Sequence, residues 1–167
     1  MSTAPGFATW QALCDVLHDE AACLDEQRWD DWLDLYTDDA VLWAPAWDSE
    51  HQLTRDPMRE VSLFYVEGKP ALSDRAWRWS RGDSPASQPL PRTSHLIGNV
   101  RAQELTPAQA VLAARWHTQV YRARRTWSYA GSYRHTLRLD AGRWRIAHKT
   151  IVLANDLVDT TLDLYHV

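Results

Sequence analysis

Hydrophobic spacing changes character partway along this chain. From Thr9 to about Gln27, the apolar residues Trp10, Leu13, Cys14, Leu17, Ala21 and Leu24 recur at spacings of three and four, the stripe of an amphipathic helix. A second, short helix is predicted from Arg28 to Tyr36, with Trp29, Leu33 and Tyr36 on one side. It ends in a turn at Thr37-Asp38-Asp39. Ala40 to Ala44 reads as a strand stopped by Pro45, the stretch from Trp47 to Pro57 as loop, and Val61 to Val66 as a short strand with helix as the competing reading. From Pro70, a third helix places Leu72, Ala76 and Trp79 on one face, and Arg81 to Pro91 is a Pro- and Ser-bearing loop.

Beyond that loop the period falls from 3.6 to 2. Strands are predicted at His95–Gln103, Ala110–Arg122, Trp127–Leu139 and Arg143–Ala154. In the third, Trp127, Tyr129, Tyr133, His135, Leu137 and Leu139 alternate with polar neighbours, so one face is buried and the other wetter. Asp140-Ala141-Gly142 supplies a hairpin turn. Helices first and long antiparallel strands second is an α+β order: a curved sheet wrapping N-terminal helices as a half-open cone.

Length and charge narrow the choice of function. The 167 residues suit a single domain, 1–167, with no linker between two cores. A formal charge of −4 gives no overall basic field for nucleic acid, and the cluster Arg122, Arg124, Arg125 reads as a strand end or subunit contact. The start, MSTAPGFATW, has neither a basic nor an apolar leader region, and no apolar run approaches the length of a membrane span, so a cytoplasmic protein is expected. Ten residues are Trp, against six Tyr and two Phe, which suits interfaces or cavity walls.

Candidate chemistry is sparse. Cys14 and Cys23 fall nine apart on one predicted helix, on opposite faces and about 13 Å apart, unable to bridge within it and too few for a structural zinc site. A mononuclear iron site needs two His and a carboxylate, and His117 and His135 on neighbouring strands, with Asp38 or Asp39, are the candidates. Asp38-Asp39 could also act as a general base, the plainer reading being a turn. Ser94 and His95, adjacent on a strand, point to opposite faces and cannot act as nucleophile and base. Phosphate loops, nucleophile elbows and His-Glu-x-x-His helices are absent from the sequence.

Three segments carry a resemblance: Trp47-Asp48-Ser49-Glu50-His51, then Pro91-Arg92-Thr93-Ser94-His95-Leu96-Ile97-Gly98-Asn99-Val100, then Leu153-Ala154-Asn155-Asp156 running to Leu162-Asp163-Leu164-Tyr165-His166. With Asp56-Pro57, Leu72-Ser73-Asp74-Arg75 and Trp116-His117-Thr118 between them, the chain from about Glu20 onward resembles the small (β) subunit of aromatic-ring-hydroxylating dioxygenases. The WDSEH segment and LDLYHV ending look most similar to anthranilate 1,2-dioxygenase small subunits, with benzoate and 2-halobenzoate dioxygenases as near relatives. The chain departs from the pattern of the resembled family at Ala76-Trp77-Arg78-Trp79, where relatives tend to carry Val or another smaller apolar residue first and an aliphatic one last.

The resemblance implies a cone of the NTF2-like (cystatin-like) class. It also implies an α3β3 hexamer whose α subunit carries a Rieske [2Fe-2S] cluster and a mononuclear Fe(II), with NADH supplying electrons through a reductase. The substrate implied is an aromatic carboxylate such as anthranilate, converted to catechol, or benzoate. No catalytic, cofactor-binding or metal-binding residue is then expected in this chain, and no nucleic-acid or membrane partner. Arg75, Arg92, His95, Asn99, His117, Asn155 and Asp156 are its expected interface or framework residues, with His95 and Asn99 alternatively satisfying buried backbone groups. The rival reading is a free-standing isomerase or dehydratase of the same fold using His117, His135 or Asp39. It requires a His or carboxylate deep in the cone with room for a ligand.

Overall fold

The computed structural model describes residues 5–83, 85–158 and 160–167. Residues 1–4, part of the start inspected for a leader, and Ser84, in the Arg81–Pro91 loop, lie outside the described residues. Helix α1 (Phe7–Asp25) buries Leu13, Val16, Leu17, Ala21 and Leu24. It is followed by α2 (Trp29–Asp34), then strands β1 (Tyr36–Pro45), β2 (Trp47–Ser49), β3 (Gln52–Leu53) and β4 (Ser62–Glu67), helix α3 (Lys69–Arg81), and strands β5 (Arg92–Leu105), β6 (Gln109–Arg122), β7 (Arg125–Asp140) and β8 (Arg143–Leu153).

Six strands form one sheet in the order β4-β1-β8-β7-β6-β5. Every pairing is antiparallel except β1 with β8, which is parallel. The three long hairpins from β5 to β8 are the period-2 region of the sequence. The parallel pair has no sequence signature, because 97 residues separate the end of β1 from the start of β8 and no turn links them. α1 packs on β5 and β8, and α3 on β1 and β4, so the concave side of the sheet holds the helices.

Three local expectations change. The turn expected at Thr37-Asp38-Asp39 lies within β1: Tyr36 pairs with Ile146, and the register shifts before pairing resumes at Val41 with His148. Asp38 and Asp39 occupy that irregular stretch with their carboxylates exposed toward Lys69 and Arg138. The Tyr36 side chain is fully buried, and that burial overrides the local turn preference of the Asp pair. The loop expected from Trp47 to Pro57 contains the small β2–β3 hairpin. The segment expected at Val61–Val66 is strand, not helix, over Ser62–Glu67, where it completes the edge beside β1.

β6 ends at Arg122 as predicted, whereas β7 begins at Arg125, two residues before the predicted Trp127. Arg122 closes β6 and Arg125 opens β7, with Ala123 and Arg124 forming the turn at φ 51° and 64°. Gly131 in β7 has no room for a side chain: a Cβ there would lie 1.8 Å from the Val152 carbonyl oxygen of β8. Beside it, Trp116 and Tyr133 stack with ring centroids 5.2 Å apart and planes 7° from parallel. Trp79 packs against Trp29, Trp32 and Tyr165 in the core, while Trp77 is half exposed beneath Arg81.

Candidate functional site

The cone interior contains ionisable chemistry that the sequence reading passed over. Glu20 lies within the apolar stripe of α1, three residues after Leu17 and four before Leu24, and is 2% exposed. Lys149 shares the inward parity of Ile151 and Leu153 on β8 and is equally buried. The two meet at 2.9 Å between Lys149 Nζ and Glu20 Oε1. The Tyr36 hydroxyl donates a short hydrogen bond to the same oxygen. His135 on β7, fully buried, places Nε2 3.1 Å from Glu20 Oε2. The Lys149 ammonium also lies 4.1 Å from the Tyr133 ring centroid.

Burial by itself would raise the Glu20 carboxyl. Lys149 and the hydrogen bonds from His135 and Tyr36 overcome it and hold the group well below the usual carboxylate range. Burial pulls His135 down despite Glu20, which keeps the imidazole neutral with Nε2 as the donor toward Glu20. Burial likewise lowers Lys149 against the attraction of Glu20. The Glu20 carboxylate therefore accepts from three donors and is neutralised by an ammonium in contact. Such a carboxylate has lost the basicity that proton abstraction demands.

The space around the cluster is filled by Tyr36, Tyr133, Trp116 and Leu112, all buried. A buried carboxylate and His are present in the cone, as the isomerase reading requires, and the aromatic side chains of Tyr36 and Tyr133 pack directly against them.

A second polar anchor joins the end of α1 to β5. Asp25 Oδ1 lies 2.6 Å from His95 Nδ1 and accepts from Thr93 Oγ1 at 2.8 Å, and Asp25 Oδ2 accepts from the His95 backbone N–H at 2.8 Å. Burial would raise Asp25, and the hydrogen bonds from His95 and Thr93 bring it below its ordinary value. Ser94, between these two anchoring residues, points the opposite way and is exposed, as strand alternation requires.

The chain's last residues close over this end. Asp163 accepts from Arg75 at 3.3 Å, from Trp79 Nε1 at 3.0 Å and from the Leu164 backbone N–H at 2.8 Å, while its own N–H donates to His166 Nδ1 at 3.0 Å. Leu164, Tyr165, His166 and Val167 are all buried. Burial, with His95 and Arg122 nearby, pushes the His166 imidazole down to about 4.

The remaining expected framework residues are spread over the surface. Arg92 stacks its guanidinium 4.4 Å above the Tyr121 ring. Asn99 occupies a register break in β5 with φ 52° and is exposed. Asn155 extends the β7–β8 ladder past the end of β8, with Nδ2 donating to the Ser128 carbonyl and Oδ1 accepting from the Ala130 N–H, each at 3.1 Å. Asp156 and His117 are exposed.

His117 does not converge with His135. They stand on adjacent strands, but His117 has the outward parity of Arg115 and Gln119, whereas His135 points into the cone. Asp38 and Asp39 face solvent on β1, so the proposed two-His, one-carboxylate set is not assembled. Among the described residues no group of three or more His, Cys, Asp or Glu is placed to hold a metal ion. Cys14 and Cys23 are separately buried thiols. The donor set therefore fits neither a Rieske cluster nor a mononuclear iron centre.

A curved sheet wrapped around N-terminal helices defines the class as an NTF2-like fold. The family profile described as ring hydroxylating beta subunit matches residues 19–160, and this chain belongs to that family. It is 40% identical over 148 residues to the 2-halobenzoate 1,2-dioxygenase small subunit of Burkholderia cepacia, covering 89% of this chain and 90% of that one. The anthranilate 1,2-dioxygenase small subunit of Acinetobacter baylyi is 33% identical over 93% of this chain and 96% of its own length. The crystal structure of the benzoate 1,2-dioxygenase β subunit of Burkholderia mallei superposes with a TM-score of 0.78 at 33% identity, covering 99% of this chain and all of that one. The chain is thus a subunit of a ring-hydroxylating dioxygenase, an oxidoreductase, rather than a free-standing cone enzyme. The spread of identities singles out no one substrate.

Proposed function

We propose that this chain is the structural β subunit of the terminal oxygenase of a dioxygenase acting on an aromatic carboxylate of the benzoate or anthranilate type. It acts as one NTF2-like unit in the cytoplasm, assembled with an α subunit as α3β3. The α subunit carries the Rieske [2Fe-2S] cluster and the mononuclear Fe(II), and a separate reductase brings electrons from NADH. The observation that supports this reading is the internal neutralisation of Glu20 by Lys149, His135 and Tyr36, which leaves the cone's buried carboxylate without the basicity a free-standing cone enzyme would use. Family membership and relatives bearing benzoate, halobenzoate and anthranilate dioxygenase names support the substrate class.

Co-expression with the large subunit tests the reading. The expected result is a hexamer by light scattering, with iron in proportion to the large subunit and none retained by the isolated small chain. Ring hydroxylation of benzoate or anthranilate should then require both chains. A small chain that stays apart from the large one, or turns over a substrate by itself, overturns it.

A further inference from the structure

Strand β5 carries a bulge that aims a side chain. Gly98 pairs with Arg115 of β6 and Arg101 with Ala113, so three steps of β5 oppose two of β6. Asn99, at φ 52°, lies within that shift. Ile97 and Val100 both pack against the core, which makes Asn99 the extra residue. Regular alternation from Gly98 would turn Arg101 inward, and the extra residue keeps it on the outer face beside Gly98 and Arg115.

The outer face then presents two rows across the strands. In the first, Trp43 of β1 pairs with Thr150 of β8, Thr150 with Arg134 of β7, Arg134 with Ala113 of β6, and Ala113 with Arg101 of β5. In the second, Val152, Ser132, Arg115 and Gly98 follow one another from β8 to β5. Gly98, Ala113 and Ser132 carry the least side chain and form a floor, and a Cβ added at Gly98 would meet nothing within 4 Å. Arg101 and Arg134 flank Ala113 directly. Arg115 is diagonal to both, at about 7–8 Å and within reach of long side chains. All three line one groove of about 430 Å³, together with Asn99, Thr150 and Val152.

Positive charge in this groove is left over. Arg134 lies 3.6 Å from Glu104, and among the described residues no ion pair or side-chain hydrogen bond engages Arg101 or Arg115. Three guanidinium groups around one floor repel one another, with a single carboxylate to offset them. A planar oxyanion relieves that repulsion, because a guanidinium fork matches a carboxylate through two parallel N–H···O bonds. The chain as a whole is acidic, at −4, so the field is local and suits one small anion better than a polyanion.

The far end of the groove is apolar. Thr150 and Val152 are shared with an adjoining groove of about 470 Å³, which Trp43, Pro45 and Leu53 also line. Trp43 stands two strand spacings from Arg134, about 10 Å. An anion that carries a ring can meet both ends at once.

We propose that this groove binds one small aromatic carboxylate, its carboxylate held by the forks of Arg101, Arg115 and Arg134 and its ring laid over Val152 and Thr150 toward Trp43. The ligand class rests on the substrate reading above, whereas the site rests on the bulge, the floor and the two unpaired arginines. It lies on the opposite face of the sheet from Glu20 and His135.

The test is isothermal titration of benzoate into the full-length chain at constant ionic strength. Saturation at one benzoate per chain is expected. Benzylamine, which has the ring but a positive charge, should not bind, and inorganic phosphate, which has no ring to bury, should bind about tenfold more weakly. Arg101→Gln with Arg115→Gln should weaken benzoate by about tenfold or more through lost charge-assisted hydrogen bonds. Ala113→Leu fills the floor and keeps every charge. It should abolish binding, which diffuse ionic attraction would survive. Melting confirms that each variant is folded. Absence of saturable binding, unchanged binding by either folded variant, or phosphate bound as tightly as benzoate overturns the inference. An assembled oxygenase that hydroxylates benzoate while the isolated chain takes up none also overturns it, leaving the substrate reading intact. Saturable benzoate binding by a chain whose assembled oxygenase hydroxylates no aromatic carboxylate upholds the site and sinks the substrate reading instead.

Discussion

Lys149 on β8 and Glu20 on α1 form a buried ion pair at 2.9 Å across 129 positions of sequence. It ties the first helix to the last long strand in the middle of an otherwise apolar core. Lys149→Met leaves the Glu20 carboxylate buried without its counter-charge and is expected to destabilise the fold by about 3–5 kcal/mol. Adding Glu20→Leu to that variant removes the stranded charge and should recover part of the loss. Urea unfolding of the two variants measures both steps, and equal stability of the single and double variants would show that the pair is not coupled.

Acid should weaken the fold in two stages. His166 titrates at about 4 when folded, against an ordinary value of 6.5, so the unfolded chain takes up its proton first. Its stabilising contribution is complete above about pH 6.5 and is lost as the pH falls toward 4, on the order of 3 kcal/mol in all. Buried His135 and half-buried His148 are also depressed and act in the same direction. Glu20 is held low as well, so its contribution persists down to about pH 4.5 and is lost below it. Melting temperature against pH should therefore fall below about 6.5 and more steeply below about 4.5. His166→Asn, which keeps an acceptor for the Asp163 N–H, should flatten the upper stage and spare the lower.

Gly131→Ala should be strongly destabilising, by about 1–3 kcal/mol or more, because the added Cβ meets the Val152 backbone carbonyl at 1.8 Å rather than a movable side chain. Gly98→Ala is the control: nothing lies within 4 Å of its added Cβ, and its melting temperature should be close to that of the unsubstituted chain. Thermal melts of the two variants separate packing at β7 from a general cost of altering strand glycines.

Trp79→Phe removes the indole N–H that donates to Asp163 at 3.0 Å while keeping most of the aromatic volume. The expected cost is about 1 kcal/mol, and it should act on the C-terminal turn before the core. Faster hydrogen exchange at Leu164 and His166, with unchanged protection in β6 and β7, would show that the tail is held by this bond. Uniform loss of protection would show that it is not.

His117→Ala and Asp39→Asn should leave the hydroxylation rate of the assembled oxygenase within about twofold of the original, because neither side chain points into the cone. A general base removed from an enzyme lowers kcat by about 10²–10⁴. A loss of that size in a fully assembled complex would restore the cone-enzyme reading.

Much of the fold was legible because local periodicity carried it. The α1 stripe and the alternation of β5 to β8 follow from side chains that must reach one face, and the turn before β8 follows from Gly142, which accepts its φ of 79° without strain. The bond between His95 and Asp25 was not legible in the sequence, since Asp25 lies 70 positions away. The Asp38-Asp39 pair was misplaced because its turn preference is local, whereas the burial of Tyr36 and the pairing with β8 are not. Glu20 left a trace, an acid inside an apolar stripe, and Lys149 left another, a cation at inward strand parity. Neither trace identifies its partner.

The sequence by itself determined the class of fold, its antiparallel half and its family, because these rest on hydrophobic period and motif order, which act between neighbours along the chain. The tertiary structure decided the parallel pairing of β1 with β8, the divergence of His117 from His135, and the closure of Glu20 by Lys149, His135 and Tyr36. Each depends on which distant segments share a face and at what register, and a register one residue different would turn every one of those side chains the other way.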